Sequence, residues 1–170
     1  MASAKAAMTG SSLAGALAGH QPLGDLQHVV VGAPADDAVL AVADFDQNGL
    51  PDLFFTGNQV PNRLYLNQGN LKFKDISEAS GIMAADRWCT GSVIVDINLD
   101  GLPDIYVATA MKKGPGERKN LLFVNQGKDE AGNVTFKEMA QEYGIADPGN
   151  GMGAAFLDYD LDGDLDLYVL

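Results

Sequence analysis

The chain has 170 residues, of which 46% are hydrophobic, so it is long enough for one folded domain with a buried core. Its formal net charge of −12 at pH 7 argues against nucleic acid and anionic membrane surfaces as partners. No apolar run approaches the roughly 18 residues of a membrane-spanning helix, and the single cysteine, Cys89, excludes an intramolecular disulfide.

Residues 1–37 are predicted to form a poorly defined leader. The stretch Leu13–Ala18 is too short and too rich in small residues for the apolar part of a secretory signal peptide. Further on, the segment Val29–Pro34 (VVVGAP) joins an apolar run to a turn-forming end, which indicates one strand near 26–32. The leader is therefore interpreted either as disordered or as contributing that single strand.

From residue 38 onward the sequence repeats a nine-residue acidic motif. The pattern D-x-[DN]-x-[DN]-G-x-x-D begins at Asp44, Asp96 and Asp158, which are 52 and 62 residues apart. Of the 23 acidic residues in the chain, 11 fall inside these three windows. A solvated acidic surface would spread its carboxylates along the chain, so this clustering predicts a bound cation.

Two further blocks recur between the acidic motifs, and they define the length of the unit. The blocks at 62–69 (NRLYLNQG) and 72–82 are repeated at 120–127 (NLLFVNQG) and 135–145. The spacing grows where polar, glycine-bearing insertions occur, at 112–119 and 128–133. A period of about 50–60 residues is typical of propeller repeats. The predicted units are 38–82, 83–145 and an incomplete 146–170.

Each complete unit contains four short apolar stretches with the alternation of β-strands. In the first unit these are 41–45, 53–56, 64–66 and 73–76, and in the second they are 92–95, 105–107, 121–124 and 134–136. Helices are limited to single turns near 77–81 and 139–144. The sequence therefore predicts an all-β fold, a partial β-propeller of four-stranded antiparallel blades with the acidic loops between the first and second strands.

The acidic loops have the ligand pattern of a calcium site. Oxygen-bearing side chains at positions 1, 3, 5 and 9, a glycine at position 6 for the turn, and a carbonyl at position 7 provide the hard ligands that Ca²⁺ prefers. Up to three ions are predicted. The predicted ligands are Asp44, Asp46, Asn48, the Leu50 carbonyl and Asp52; Asp96, Asn98, Asp100, the Leu102 carbonyl and Asp104; and Asp158, Asp160, Asp162, the Asp164 carbonyl and Asp166.

The EF-hand, whose loop begins in the same way, does not fit. It requires an acidic residue at position 12, where this chain has Phe55, Val107 and Val169. It also requires flanking helices, whereas each of these loops leads into a strand-like apolar stretch.

With these motifs in view, the sequence resembles the FG-GAP/VCBS repeat family, which includes the propeller blades of integrin α-subunits. The resemblance covers about residues 40–170, and the run 62–82 is similar to the cartilage-acidic-protein-like, ASPIC/UnbV-associated branch. It implies a calcium-bearing propeller outside the cytoplasm, either extracellular, at the cell surface or periplasmic. It also implies a role in adhesion or in recognition of a protein or polysaccharide.

No catalytic residue is predicted. The paired carboxylates are already assigned to metal binding, and His20 and His28 have no recognisable nucleophile partner. Two alternatives remain open: a non-catalytic propeller part of a larger secreted or periplasmic enzyme, and a purely structural scaffold. Because propellers close with more blades than two and a half, the expected partners also include the remaining blades of a longer chain or a second copy.

Overall fold

The computed structural model describes residues 38–58, 60–111 and 113–170, which form three antiparallel β-sheets. The first sheet contains β1 (Leu40–Ala43), β2 (Asp52–Phe55), β3 (Arg63–Asn67) and β4 (Phe73–Asp75). The second contains β5 (Cys89–Val95), β6 (Asp104–Thr109), β7 (Leu121–Lys128) and β8 (Val134–Glu138). The third is a hairpin of β9 (Ala154–Leu157) and β10 (Asp166–Val169).

Neighbouring strands in each sheet are consecutive in the chain, and the three sheets share one register. The residue before each acidic motif pairs with the motif's last aspartate: Ala43 with Asp52, Val95 with Asp104, and Leu157 with Asp166. The segments 44–52, 96–104 and 158–166, called loops 1, 2 and 3 below, therefore connect equivalent strands. The predicted all-β class and the four-stranded antiparallel blades are confirmed.

The larger apolar core lies between the first two sheets. It combines Phe54 and Leu64 of the first sheet with Ile105 and Phe123 of the second, all at most 3% exposed. Burial of this size is the main stabilising contribution in a sheet-on-sheet packing. The first two blades are therefore held face to face through a continuous core.

A second core joins the second sheet to the hairpin. Tyr106 of β6 packs edge-on against Phe156 of β9, with ring centroids 5.6 Å apart. Because side chains alternate along a strand, Ile105 and Val107 contact the first core while Tyr106 faces the second. All six residues of β6 are buried. The second sheet is thus covered on both faces, as an internal propeller blade is.

The described segments between the sheets contain little helix. The only α-helix among the described residues is α1 (Ser77–Ser80), which lies where a single turn is predicted. No helix in the described part of the chain is long and apolar enough to cross a membrane. The predicted leader 1–37, with its strand near 26–32, lies outside the described residues, and the limits of the three repeat units stay a prediction.

Candidate metal centres

Loop 1 curls around the carboxylate at its first position. Asp44 accepts the backbone N–H of Asn48 on Oδ1 (3.0 Å) and that of Gly49 on Oδ2 (2.7 Å). Gly49 has φ +84°, a left-handed conformation that glycine adopts without steric cost. The sixth position of the motif is a glycine because the chain must reverse direction there.

Loops 2 and 3 repeat these hydrogen bonds. Asp96 accepts the amides of Asp100 and Gly101 at 3.1 and 2.9 Å, and Asp158 accepts those of Asp162 and Gly163 at 3.1 and 3.2 Å. The glycines at position 6 have φ +85° and +97°. The three loops are therefore one structure built three times, as their common motif predicts.

The fourth position of every loop is also left-handed, which the motif does not reveal. Gln47, Leu99 and Leu161 have φ of 54°, 59° and 64°. A non-glycine residue in this region carries a cost of roughly 1–2 kcal/mol. The occupants are glutamine and leucine, neither of which favours a positive φ, so no residue type at this position signals the conformation.

The side chains at positions 1, 3 and 9 converge. In loop 1, carboxylate oxygens of Asp44, Asp46 and Asp52 all lie within 4.8 Å of one another. In loop 3, those of Asp158, Asp160 and Asp166 do the same. Three formal negative charges so close repel one another at any dielectric constant of a protein surface. Both clusters offer a cation three oxygen ligands.

Loop 2 differs because an amide replaces the carboxylate at position 3. The Asn98 Nδ2 donates to Oδ2 of Asp100 at 2.8 Å, and the Asn98 Oδ1 accepts the amide of Asp100. Asp96 and Asp104 keep the hydrogen bonds of their counterparts in loop 1. The loop thus has the same backbone with one fewer negative charge at its centre than loop 3.

Position 5 has a structural task in all three loops. Asn48, Asp100 and Asp162 each accept, through the side-chain Oδ1, the backbone N–H of the residue at position 7, at 2.8, 2.8 and 3.1 Å. A further hydrogen bond with Asp162 raises the pKa of the Asp164 carboxyl. The ligand roles of position 5 and of the carbonyls of Leu50, Leu102 and Asp164 stay predictions.

The aspartate at position 9 is the most buried member of the first two loops. Asp52 is fully buried, and it accepts the amide of Phe45 on Oδ2 (2.8 Å) and that of Asn67 on Oδ1 (2.7 Å). Asp104 does the same with Ile97 and Asn125, at 2.9 and 2.7 Å. Each carboxylate therefore ties its loop to the third strand of its blade.

A comparison with protein-family models identifies the part of the chain that contains loops 1 and 2. Residues 44–107, from the first position of loop 1 to the strand that leaves loop 2, match the family model described as FG-GAP-like repeat. Residues 44–107 contain an FG-GAP-like repeat. No curated protein shows a significant match to the chain. The family-level resemblance is confirmed, and the ASPIC/UnbV-associated branch stays a prediction.

The chemistry of loops 1 and 3 fits a hard divalent cation. All ligand atoms gathered at positions 1, 3 and 9 of loops 1 and 3 are oxygens, and neither histidine nor thiol sulfur takes part. Such ligand sets favour Ca²⁺ or Mg²⁺ over zinc or copper. The Lys128 Nζ lies 3.8 Å from Oδ2 of Asp46, so loop 1 already forms an ion pair with a positively charged side chain.

Burial changes the protonation of the position-9 aspartates. Desolvation raises the pKa of Asp52 to about 6 from an ordinary value of 3.8, against the opposing effect of its two backbone hydrogen bonds. Desolvation raises the pKa of Asp104 as well. A bound divalent cation would oppose both shifts, because it favours the ionised carboxylate.

We expect the Asp52 carboxyl to titrate near pH 6 in calcium-free protein, and well below that when calcium is saturating. Because its folded pKa exceeds the unfolded one, the stabilisation from its protonation is fully present below about pH 4 and is lost as pH rises through 6. Carboxyl ¹³C NMR of Asp52 in EDTA and in calcium measures both midpoints. A calcium-free midpoint near 3.8 would contradict the prediction.

Two asparagines complete the FG-GAP-like loops, although they are absent from the motif. Their backbone N–H groups donate to Asp52 and Asp104, as described above. Their side chains make further bonds: Asn67 donates Nδ2 to the carbonyl of Pro51 (3.0 Å), and Asn125 donates Nδ2 to the carbonyl of Phe45 (3.0 Å). Both side chains also accept the amide of a glycine two residues later at 2.9 Å. The repeated block ending in N-Q-G carries the sequence signal for them.

Proposed function

We propose that the chain is a calcium-binding β-propeller repeat module that serves extracellular adhesion or recognition of a protein or polysaccharide ligand. The observation that carries the proposal is the threefold loop geometry in a chain whose residues 44–107 match the FG-GAP-like repeat model, with carboxylate oxygens gathered within 4.8 Å in loops 1 and 3. Calcium would be held by the loop residues predicted from the motif, up to three ions in all. Its task is electrostatic and structural, because it neutralises carboxylates that converge.

A location outside the cytoplasm suits such sites. Calcium sites of extracellular modules have dissociation constants of about 10⁻⁴–10⁻³ M, and they are filled only where calcium is abundant. The loop residues are exposed or half-buried, apart from Phe45, Asp52 and Asp104, which are buried. We infer that the protein acts at the cell surface, in the extracellular space or in the periplasm, and that it is not itself an enzyme.

The open hairpin supports a role within a larger assembly of blades. Phe45 at position 2 of loop 1 is 1% exposed because it packs on Phe136 of the next blade, with ring centroids 5.9 Å apart. Tyr159 has the same position in loop 3 and is 79% exposed. We infer that a further blade, from a longer chain or from a second copy, covers this face.

The glycine amides of the three loops give a direct test of calcium binding. Gly49, Gly101 and Gly163 each donate to the first aspartate of their loop, so their ¹H–¹⁵N resonances report the loops separately. We expect all three to shift as calcium is added at micromolar to millimolar concentration. Resonances that do not move at millimolar calcium would refute the calcium proposal.

A matched pair of substitutions checks the assignment. Asp46→Ala removes the third ligand of loop 1 and should abolish or strongly weaken the response of Gly49 while that of Gly101 persists. Asp86→Ala removes an exposed carboxylate outside the loops, with the side chain 74% exposed, and should leave every response unchanged. Glycan and protein arrays probed with and without calcium then test the recognition role, since binding to neither would favour a purely structural scaffold.

A further inference from the structure

Lys128 belongs to the second blade, but its side chain contacts the first metal loop. Its Nζ lies 3.8 Å from Oδ2 of Asp46, the aspartate at position 3 of loop 1. The Asp46 side chain is 10% exposed and that of Lys128 is 48% exposed, so the ammonium lies at the boundary between solvent and the acidic cluster. Among the ion pairs within the described residues, this is the one that involves a loop carboxylate.

The insertion that distinguishes the second blade places Lys128 there. Strand β7 continues through a register shift between Asn125 and Lys128, and Lys128 pairs with Val134 of β8. The first blade has a tight turn at the same point, with Asn70 in the position of Lys128 and a left-handed φ of 51°. The lengthened β7–β8 hairpin, and not the family motif, thus supplies the cation.

Two other contacts hold loop 1 against the second blade. The Gln47 side chain donates Nε2 to the carbonyl of Gly101 in loop 2 at 3.0 Å. The Asn125 Nδ2 donates to the carbonyl of Phe45 at 3.0 Å, in a buried position. Lys128 is therefore attached to a fixed junction between the blades, and its reach to Asp46 follows from the packing of the two sheets.

We propose that Lys128 is an intramolecular counter-cation of loop 1, which pairs with Asp46 in the calcium-free protein and lowers the calcium affinity of that loop. The inference rests on the proposed calcium function. Two effects lower the calcium affinity of loop 1. Calcium must break the ion pair between Asp46 and Lys128, and the Lys128 ammonium repels the incoming ion. Loops 2 and 3 have no such ion pair among the described residues, so the effect is confined to loop 1.

Calcium titration of Lys128→Asn, followed by ¹H–¹⁵N NMR, tests the proposal. The substitution introduces the residue that the first blade has at the equivalent position. We expect the midpoint of the Gly49 resonance to move to about three- to tenfold lower calcium, as for removal of one positive charge a few ångströms from a divalent ion near the surface. The Gly101 resonance in the same sample should keep its midpoint, because it reports loop 2.

Two control variants separate this effect from general ones. Lys128→Arg keeps the positive charge and should leave the Gly49 midpoint close to that of the unsubstituted protein. Lys137→Asn removes the same charge from β8, where Lys137 pairs with Glu142 at 3.9 Å, and should move neither midpoint. The spectra of all variants also show directly whether the fold is intact.

The outcomes are distinct. An unchanged or higher Gly49 midpoint in Lys128→Asn overturns the proposal, as does an equal shift of Gly49 and Gly101 or the same shift in Lys137→Asn. If Gly49 of the unsubstituted protein does not respond to calcium, the proposed function fails for loop 1 and the role of Lys128 fails with it. A response in the unsubstituted protein that Lys128→Asn leaves unaltered overturns the role of Lys128 alone.

Discussion

Chelation of calcium with EDTA is expected to lower the melting temperature of the protein by more than about ten degrees, and added calcium is expected to restore it. At about 10 mM calcium, a hundred times a dissociation constant of about 10⁻⁴ M, each site stabilises the folded state by about 2.7 kcal/mol, so three sites contribute about 8 kcal/mol. Each kcal/mol moves the melting temperature of a domain of this size by about 2–4 degrees. Differential scanning calorimetry in EDTA and in calcium measures the difference.

Repulsion between the carboxylates of the calcium-free loops also contributes to the expected change in melting temperature. Without a cation, the carboxylates of Asp44 and Asp46 face the buried Asp52 and raise its pKa further, in addition to desolvation. Asp96 and Asp100 act in the same way on Asp104. Calcium-free protein therefore contains two buried acidic groups whose ionised form is unfavourable, and the cation removes that cost.

Magnesium provides the control for this experiment. Mg²⁺ demands a near-octahedral shell at short distances and keeps several of its waters, so it should restore less of the melting temperature than calcium at equal concentration. A general screening of charge by divalent ions would instead give equal recovery with both metals. A melting temperature that EDTA leaves unchanged would contradict a structural role for calcium.

The repeat, the strands and the loops are all visible in the sequence, because each is specified locally. Alternating apolar residues define the strands, and Gly49 with its counterparts marks the one turn that only glycine makes without cost. The position-12 residues Phe55, Val107 and Val169 lie in or next to strands and are apolar, which separates the loops from EF-hands. Local information of this kind was sufficient for the fold class.

The contacts between blades are not specified locally, and the sequence does not predict them. The bonds from Asn125 to Phe45 and from Lys128 to Asp46 join residues about 80 apart in the chain, across two sheets whose relative position depends on the whole core. The left-handed fourth position of each loop is also hidden, because Leu99 and Gln47 have no preference for it. The repeated block ending in N-Q-G indicates that its asparagine has a structural role, but it does not indicate which atoms the asparagine contacts.

Asn125→Ala is expected to lower the free energy of unfolding by about 3–4 kcal/mol. The Asn125 side chain is 1% exposed, donates to the carbonyl of Phe45 at 3.0 Å and accepts the amide of Gly127 at 2.9 Å. Alanine leaves the buried Phe45 carbonyl and the partly buried Gly127 amide without these bonds, and an unsatisfied buried group costs about 1–3 kcal/mol. Urea denaturation at saturating calcium measures the change.

The first blade supplies the matched control. Asn67 has the same position and donates to the carbonyl of Pro51 and accepts the amide of Gly69, as Asn125 does with Pro103 and Gly127 within its own blade. It is only partly buried, and within the described residues it makes no bond to another blade. Asn67→Ala should therefore cost about 1 kcal/mol. Equal losses for the two variants would show that Asn125 acts within its blade alone, whereas a larger loss for Asn125→Ala assigns the difference to the bond that joins the blades at loop 1.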